Sequence, residues 1–479
     1  MQFFNFSTGS RLRFRPLLFA RRSSRFCKEV QQPRFLLPAS QHPSFVHHCP
    51  VCQHLLPLLQ QFAWQTIPGH RREQWFGRYA VPLSSYVAAF FVKLACNLGT
   101  MSALRRHLCQ HPGLVWALGF QLTPAQTPWG FDPDASLPSS RHFTRVLREL
   151  DPALLQGLLT AQVQQLQQRY QAAGFGQVVS MDTKHIVAWV KENNPRVFIK
   201  EGRYDAEKQP AGDMDCKVGC KRRRNIKTPT AEGQPASKLS VAPGEFYWGY
   251  ASGAVVTKVP QVGEFVLAEL TQPFDCGDLS YFFPLMGEVE QRLGFRPPFF
   301  TADAAYDAFY VYDYFHQPGR DGFAAVPFAQ RGGHRLFDEA DNPLCAAGLA
   351  MSLKMTYNDR TTALIPYRRQ QFVCPLLHPH ELGEVCLIAH KRWAKGGCKT
   401  SLAESVGSRL RHQLDREGVR YKQVYKQRTA VERVFSQAKA LGMERPKLRN
   451  QLAIANQNTL IYLLINARTA LRARDGHGR

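Results

Sequence analysis

Between residues 82 and 158 the apolar positions recur every three or four residues: Tyr86, Ala89, Phe90, Val92, Leu94 and Ala95, then Met101, Leu104 and Leu108. That spacing keeps them on one face of a helix and predicts a helical block. A break rich in Pro, Gly and Asp over 123–140 interrupts it. Ser139 or Ser140 then stands where a cap is needed for a second helix, which carries His142, Arg145 and Arg148 beside Phe143, Val146 and Leu147. Such a basic helix suits a DNA groove, and equally a solvated face. A Leu- and Gln-rich helix is expected over 152–172.

The pattern then changes period. Gln177-Val178-Val179-Ser180-Met181-Asp182 is a short apolar run ending in an acid, and Pro298-Phe299-Phe300-Thr301-Ala302-Asp303 repeats the arrangement. Both predict a buried strand with a carboxylate at its C-terminal end, where α/β sheets place much of their chemistry. Residues 246–259 resume strand character, and Gly249-Tyr250-Ala251-Ser252-Gly253 suggests a hairpin within them. A further strand is expected over 323–328. Residues 193–244 are polar and basic, with Lys221-Arg222-Arg223-Arg224 at their centre, and predict a loop or mobile arm. Strand-like pieces at 362–367, 371–374 and 385–389 mark a β-rich insertion. One helix over 419–441, stopped by Pro446, and a terminal helix over 451–472 complete the chain.

The fold class is therefore α/β. Residues 1–75 read as a basic, partly disordered arm, 76–172 as a helical DNA-binding domain, 173–330 and 419–479 as the two parts of a core, and 331–418 as its insertion. Arg11, Arg13, Arg15, Arg21, Arg22 and Arg25 precede the first acid, Glu29. That stretch reads as a disordered arm or an upstream extension rather than a transit peptide.

Charge narrows the partners. Lys and Arg total 61 against 37 Asp and Glu, a formal +24, which draws a polyanion by counterion release. A membrane span is not expected, because the best apolar stretch, 452–464, is interrupted by Asn456, Gln457 and Asn458. The 12 cysteines follow no secretory pattern, so reduced thiols and a cytoplasmic setting are expected. Cys49 and Cys52 with His47, His48 and His54 form one compact group. Cys374, Cys386 and Cys398 with His378, His380 and His390 form a sparser one. Neither has the full ligand spacing of a zinc site, and zinc is not assigned.

The candidate chemistry rests on carboxylates. On the expected helix, Tyr425, Arg428, Glu432 and Lys439 fall within a sector of about 60°, roughly 100° from the stripe formed by Val431, Val434, Phe435, Ala438 and Leu441. One face packs; the adjacent one presents an acid between bases. Hard divalent cations need oxygen ligands from several segments, and Asp182, Asp303 and Glu432 supply them. Asp307 competes with Asp303 but reads as a helix cap, while Asp205, Asp213 and Asp215 read as solvated. Arg428 and Glu432 are also an ordinary i, i+4 pair.

Tyr425-x2-Arg428-x3-Glu432-x6-Lys439 resembles the Tyr-Arg-Glu-Lys signature of the DDE transposases of bacterial insertion sequences, family-four type. Thr301-Ala302-Asp303-Ala304-Ala305-Tyr306-Asp307 is similar to that family's second-aspartate motif, and Ser180-Met181-Asp182-Thr183 to its first. The resemblance covers roughly residues 80–472. It implies an RNase H-like catalytic core with a β-rich insertion behind an α-helical domain. It also implies two Mg2+ or Mn2+ ions on Asp182, Asp303 and Glu432, with Tyr425, Arg428 and Lys439 on DNA. The implied activity is cut-and-paste transposition, acting on double-stranded DNA with terminal inverted repeats and on target DNA, as a homodimer on DNA in a bacterial, nucleoid-associated setting. In the family a base can stack on an aromatic of the insertion; Trp393 is available without a positional match. The rivals are a nuclease that cuts without joining and a non-catalytic DNA-binding descendant.

Overall fold

The computed structural model describes residues 30–31, 33–68, 70–71, 81–200, 202–221, 225–227, 239–241, 245–329, 333–359 and 364–476. The arginine-rich stretch 11–25 and Arg222, Arg223 and Arg224 lie outside them. The chain is mixed α/β: a mixed sheet with helices on both faces, preceded by a helical layer.

The sheet holds β1 (Val178–Val187), β2 (Lys217–Lys221), β3 (Glu245–Val259), β4 (Gly263–Pro273), β5 (Phe299–Thr301) and β6 (Phe323–Ala325). Its order is β6-β5-β1-β3-β2, with β4 also paired to β3. β6, β5 and β1 run parallel, and the remaining pairings are antiparallel. The hairpin expected within 246–259 does not form, and β3 is one continuous strand. Its glycines answer close packing instead. A Cβ on Gly249 would stand 2.1 Å from the Ile186 carbonyl oxygen, and one on Gly253 would stand 2.5 Å from the Tyr281 ring.

The helices of the sheet layers and the helical block are α1 (Pro50–Leu59), α2 (Leu83–Ala95), α3 (Met101–Gln110), α4 (Pro112–Ala117), α5 (Ser140–Glu149), α6 (Pro152–Tyr170), α7 (Phe282–Leu293) and α8 (Phe309–Phe315). Further on come α9 (Gly407–Gln413), α10 (Val419–Tyr425), α11 (Thr429–Ala440) and α12 (Gln451–Gly476). Successive side chains of a strand point to opposite faces. Gly253 therefore meets Tyr281 and Leu285 of the α7 layer, while the Ser252 hydroxyl meets the Tyr462 hydroxyl of α12 at 3.0 Å. The sheet lies between these layers.

Packing in the helical layer starts earlier than residue 76. Phe35, Val46, Leu55, Leu59 and Trp64 are buried in the same core as α2 and the sheet, and Phe62 stacks on Phe91 with centroids 4.1 Å apart. The polar residues within the apolar run of α12 are stitches. Asn456 donates to the carbonyls of Leu147 and Leu150, Asn458 donates to Thr271, and Asn466 bonds both the N–H and the C=O of Val266. No helix among the described residues is long and apolar enough to cross a membrane.

The insertion carries a three-stranded antiparallel sheet, β7 (Ser352–Asn358), β8 (Arg368–Val373) and β9 (Lys399–Ala403), around Met351, Phe372 and Leu402. The piece expected at 385–389 is not a strand; Val385 and Leu387 stand exposed, with no strand paired to them among the described residues. Part of the piece expected at 362–367 lies outside the described residues.

Candidate active site

β1 does not end at Asp182 but runs five residues further, because β3 pairs with it as far as Val187↔Gly249. On its other side β5 pairs only from Val178↔Phe299 to Ser180↔Thr301. Beyond Thr301 no described strand continues along that edge of β1, which next meets a backbone partner where the Val187 N–H donates to the Glu444 carbonyl at 2.9 Å. Asp182 and Asp303 each lie two residues beyond the last paired positions, Ser180 and Thr301, at the mouth of the gap, and the Asp303 charge acts on Asp182.

Asp182 lies opposite Ala254 in the antiparallel pairing and shares the face of Ser252, the face of α11 and α12. Burial drives its carboxyl up to about 7. Asp303 and Asp278 add to the rise, against the Thr183 N–H at 2.8 Å and Arg428. Asp303 is raised by burial and by Asp278, against the Ala305 N–H and Arg428. One Asp303 oxygen accepts that N–H at 2.8 Å and so caps the turn Ala304–Tyr306.

Glu432 sits in the first turn of α11, half exposed. Arg428 links it to the strand acids, with guanidinium nitrogens 2.9 Å from Glu432 and 3.9 Å from Asp182. Burial pulls the Arg428 guanidinium down, but Glu432, Tyr425 and Asp182 outweigh this and hold it above its ordinary value.

The single helix expected over 419–441 is broken by the 3-10 turn Lys426–Arg428. The two apolar stripes face different targets. Tyr421 and Val424 pack with Ala325 at the β6 end, whereas Val431, Val434 and Ala438 pack in the main core against β1, β3 and β4. Tyr425, Arg428 and Glu432 still meet across the break, since Arg428 hydrogen-bonds Tyr425 and pairs with Glu432. Tyr425 stacks on Tyr421 at 5.7 Å, and Lys439 pairs with Glu444 at 3.1 Å.

Several acids have roles that the spacing did not reveal. Asp278 opens the 3-10 turn before α7, and its carboxylate accepts the Thr183 hydroxyl at 2.6 Å. Thr183 faces away from Asp182 along the strand, so Asp278 reaches the pair from the α7 side. Its only sequence signal is its place just ahead of an amphipathic helix. Glu444 holds Lys184 at 3.3 Å as well as Lys439. Asp307 does not cap α8. Its side chain is buried, ion-pairs with Arg411 at 2.5 Å and accepts the Tyr312 hydroxyl, tying α8 to α9. Asp213 and Asp215 are not simply solvated: Asp213 is buried and accepts the Tyr250 hydroxyl at 2.7 Å, and Asp215 accepts the Gln451 N–H at 2.9 Å.

As the side chains stand, no group of three His, Cys, Asp or Glu among the described residues converges closely enough to hold a metal ion. This includes both Cys/His groups and the three carboxylates, between which Arg428 lies. Cys374 and Cys398 are neighbours, one step beyond the β8–β9 pair Val373↔Lys399. Trp393 lies half-buried in a turn of the insertion.

The donor chemistry nonetheless fits a hard divalent cation. Asp182, Asp303 and Glu432 are oxygen-only ligands, and Asp182 and Asp303 are partly desolvated and raised in proton affinity by burial and neighbouring acids, a state that a cation relieves. The buried Tyr306 hydroxyl beside Asp278, Asp182 and Asp303 has no hydrogen-bond partner among the described residues, so the polar pocket is incomplete as it stands. No protein-family model matches the chain, and no curated protein matches it.

Proposed function

We propose that this chain is a DNA transposase of the DDE type, with an RNase H-like core interrupted by a β-rich insertion. The reading is carried by one observation: Asp182 and Asp303 lie just past the end of the β1–β5 pairing, near enough for the Asp303 charge to act on Asp182, and Arg428 links Asp182 to Glu432. Asp182, Asp303 and Glu432 would hold Mg2+ or Mn2+, and two such ions would supply an activated water or 3′-hydroxyl and stabilisation of the leaving oxygen. The protein's own groups position the substrate. Arg428, freed from the carboxylates, would turn to a phosphate as a forked donor, and Lys184 and Lys439, gathered at Glu444, would offer point charges further along the DNA. Thr183, held by Asp278, keeps that segment of β1 fixed. The partners on this reading are double-stranded DNA with terminal inverted repeats and target DNA, engaged by a homodimer, in the bacterial cytoplasm.

The test uses a plasmid carrying the insertion-sequence ends. Purified protein with Mg2+ or Mn2+ is expected to cut at the ends and join pre-cleaved ends to target DNA, and Glu432→Gln to bind the ends without cutting. Cutting without joining would identify a nuclease. The separation of the three carboxylates by Arg428 favours a second reading, a non-catalytic DNA-binding descendant. Ends bound but left intact by the wild type under every divalent metal would establish that one.

A further inference from the structure

We infer that the cleft between α5 and the start of α12 binds the phosphodiester backbone of duplex DNA, and that a row of cations connects it to the carboxylate site. This inference rests on the proposed function for its substrate and adds a second place where the substrate is held. The cleft has a volume of about 480 Å3 and is lined by Arg141, Thr144, Arg145, Arg148, Glu149 and Asn450.

α5 is built to present this wall. Ser139 caps it, accepting the His142 N–H at 3.2 Å, and Phe143 and Leu147 bury one side in the core. Arg141, Arg145 and Arg148 follow at i, i+4 and i+7, which places three exposed guanidiniums on one stripe within about 60° of each other. Like charges at this spacing weaken a helix, and the wall contains one acid, Glu149, to offset them. Arg145 bonds the His142 ring at 2.6 Å, while neither Arg141 nor Arg148 has an ion pair among the described residues. The amides at the start of α12 are already used, since Asn450 N–H goes to Asp213 and Gln451 N–H to Asp215. The positive charge that the cleft offers a ligand is therefore that of the arginines.

The segment joining α11 to α12 supplies the connection. Met443, Pro446 and Leu448 are buried while Arg445, Lys447 and Arg449 are exposed, an in-and-out alternation that sets three cations along one side. The chain bends at Glu444, Arg445 and Lys447 along this path, and Arg449 lies over the Trp189 ring, 4.9 Å from its centroid. The row starts beside Glu444, which holds Lys184 and Lys439 at the carboxylate site, and ends at Asn450 in the cleft. A row of separate charges with a forked-donor wall at its far end suits a linear polyanion better than a single small anion.

The experiment measures binding of a fluorescent duplex by anisotropy across a salt series, with pyrophosphate as the small-anion probe. Replacing Arg141, Arg145 and Arg148 together by Ala is expected to weaken duplex binding about 10- to 100-fold and to flatten the salt dependence by about 0.9 for each phosphate that the arginines no longer neutralise. Replacing the same three by Lys should retain the slope, and Lys447→Ala with Arg449→Ala, in the connecting row, should reduce it independently. Wild-type affinity and slope in both alanine variants would overturn the inference. So would saturable pyrophosphate binding that needs these arginines while duplex binding does not. A wild type that binds with the expected arginine dependence but never cuts would leave this inference standing and remove the catalytic one.

Discussion

At the scale of single residues, Asp182 sets the pH behaviour. Its carboxyl is raised from 3.8 to about 7 by burial first, with Asp303 and Asp278 contributing. The folded chain therefore holds this proton more tightly than the unfolded chain. The stability so gained is present below about pH 4 and is lost as the pH rises through about 7. In metal-free protein at about pH 8, Asp182→Asn should be more stable than wild type by roughly 1–3 kcal/mol, with the advantage gone at about pH 4. Urea unfolding at the two pH values checks this, and equal differences at both would contradict it. Divalent cations need the ionised form, so Mn2+ affinity measured by calorimetry should rise through the same interval.

Asp182 and Asp303 are legible as acids closing apolar runs, because a buried strand leaves that trace in sequence. Asp278 is not, because it lies past the end of β4 in a turn rather than closing the strand, and it reaches the site from the opposite face of β1 through Thr183 and by its charge on Asp182 and Asp303. Asp307 misleads for a related reason: its partner, Arg411, lies beyond the insertion and no local spacing announces it.

At the scale of elements, the helical block, both acid-bearing strands and the terminal helix follow the periodicity of the sequence. Departures arise where one element must satisfy two neighbours. Residues 419–441 carry one continuous helical pattern, yet α10 and α11 pack on different parts of the sheet and the 3-10 turn takes up the change of direction. β3 shows the converse, since Gly249 and Gly253 resemble turn punctuation but mark close approach. Gly249→Ala would drive a methyl against a backbone oxygen that cannot yield, whereas Gly253→Ala meets a Tyr281 ring that can shift. Both should lower stability by about 1–3 kcal/mol, the first by more. Thermal unfolding of the two variants ranks them, and a larger loss at Gly253 would contradict the packing argument.

At the scale of the molecule, the helical layer and the sheet share one core, and α12 ties them through buried amides. Asn466 satisfies both backbone groups of Val266 from within that core. Asn466→Ala strands both, and the expected cost is about 2–4 kcal/mol, since each buried group left unsatisfied costs about 1–3 kcal/mol. Chemical denaturation gives the figure, and a change below about 1 kcal/mol would show that water fills the gap. The distribution of charge over the surface is legible in the sequence only as a total of +24. Its arrangement into a row and a cleft depends on a loop whose alternation becomes meaningful once Pro446 and Leu448 are known to be inside.

If the chain binds a divalent ion and DNA as proposed, the position of Arg428 makes the two ligands thermodynamically reciprocal. Its guanidinium already neutralises Glu432 and leans towards Asp182, so an incoming divalent ion competes with a resident charge. A DNA phosphate that captures the arginine removes the competitor. Each ligand should then raise the other's affinity by the same factor. Duplex DNA should tighten Mn2+ binding in the wild type, and Arg428→Ala should bind Mn2+ more tightly without DNA and lose the enhancement. An enhancement that survives this substitution would place the coupling elsewhere. On the proposed function, such wiring would hold the cutting chemistry dormant until nucleic acid is seated.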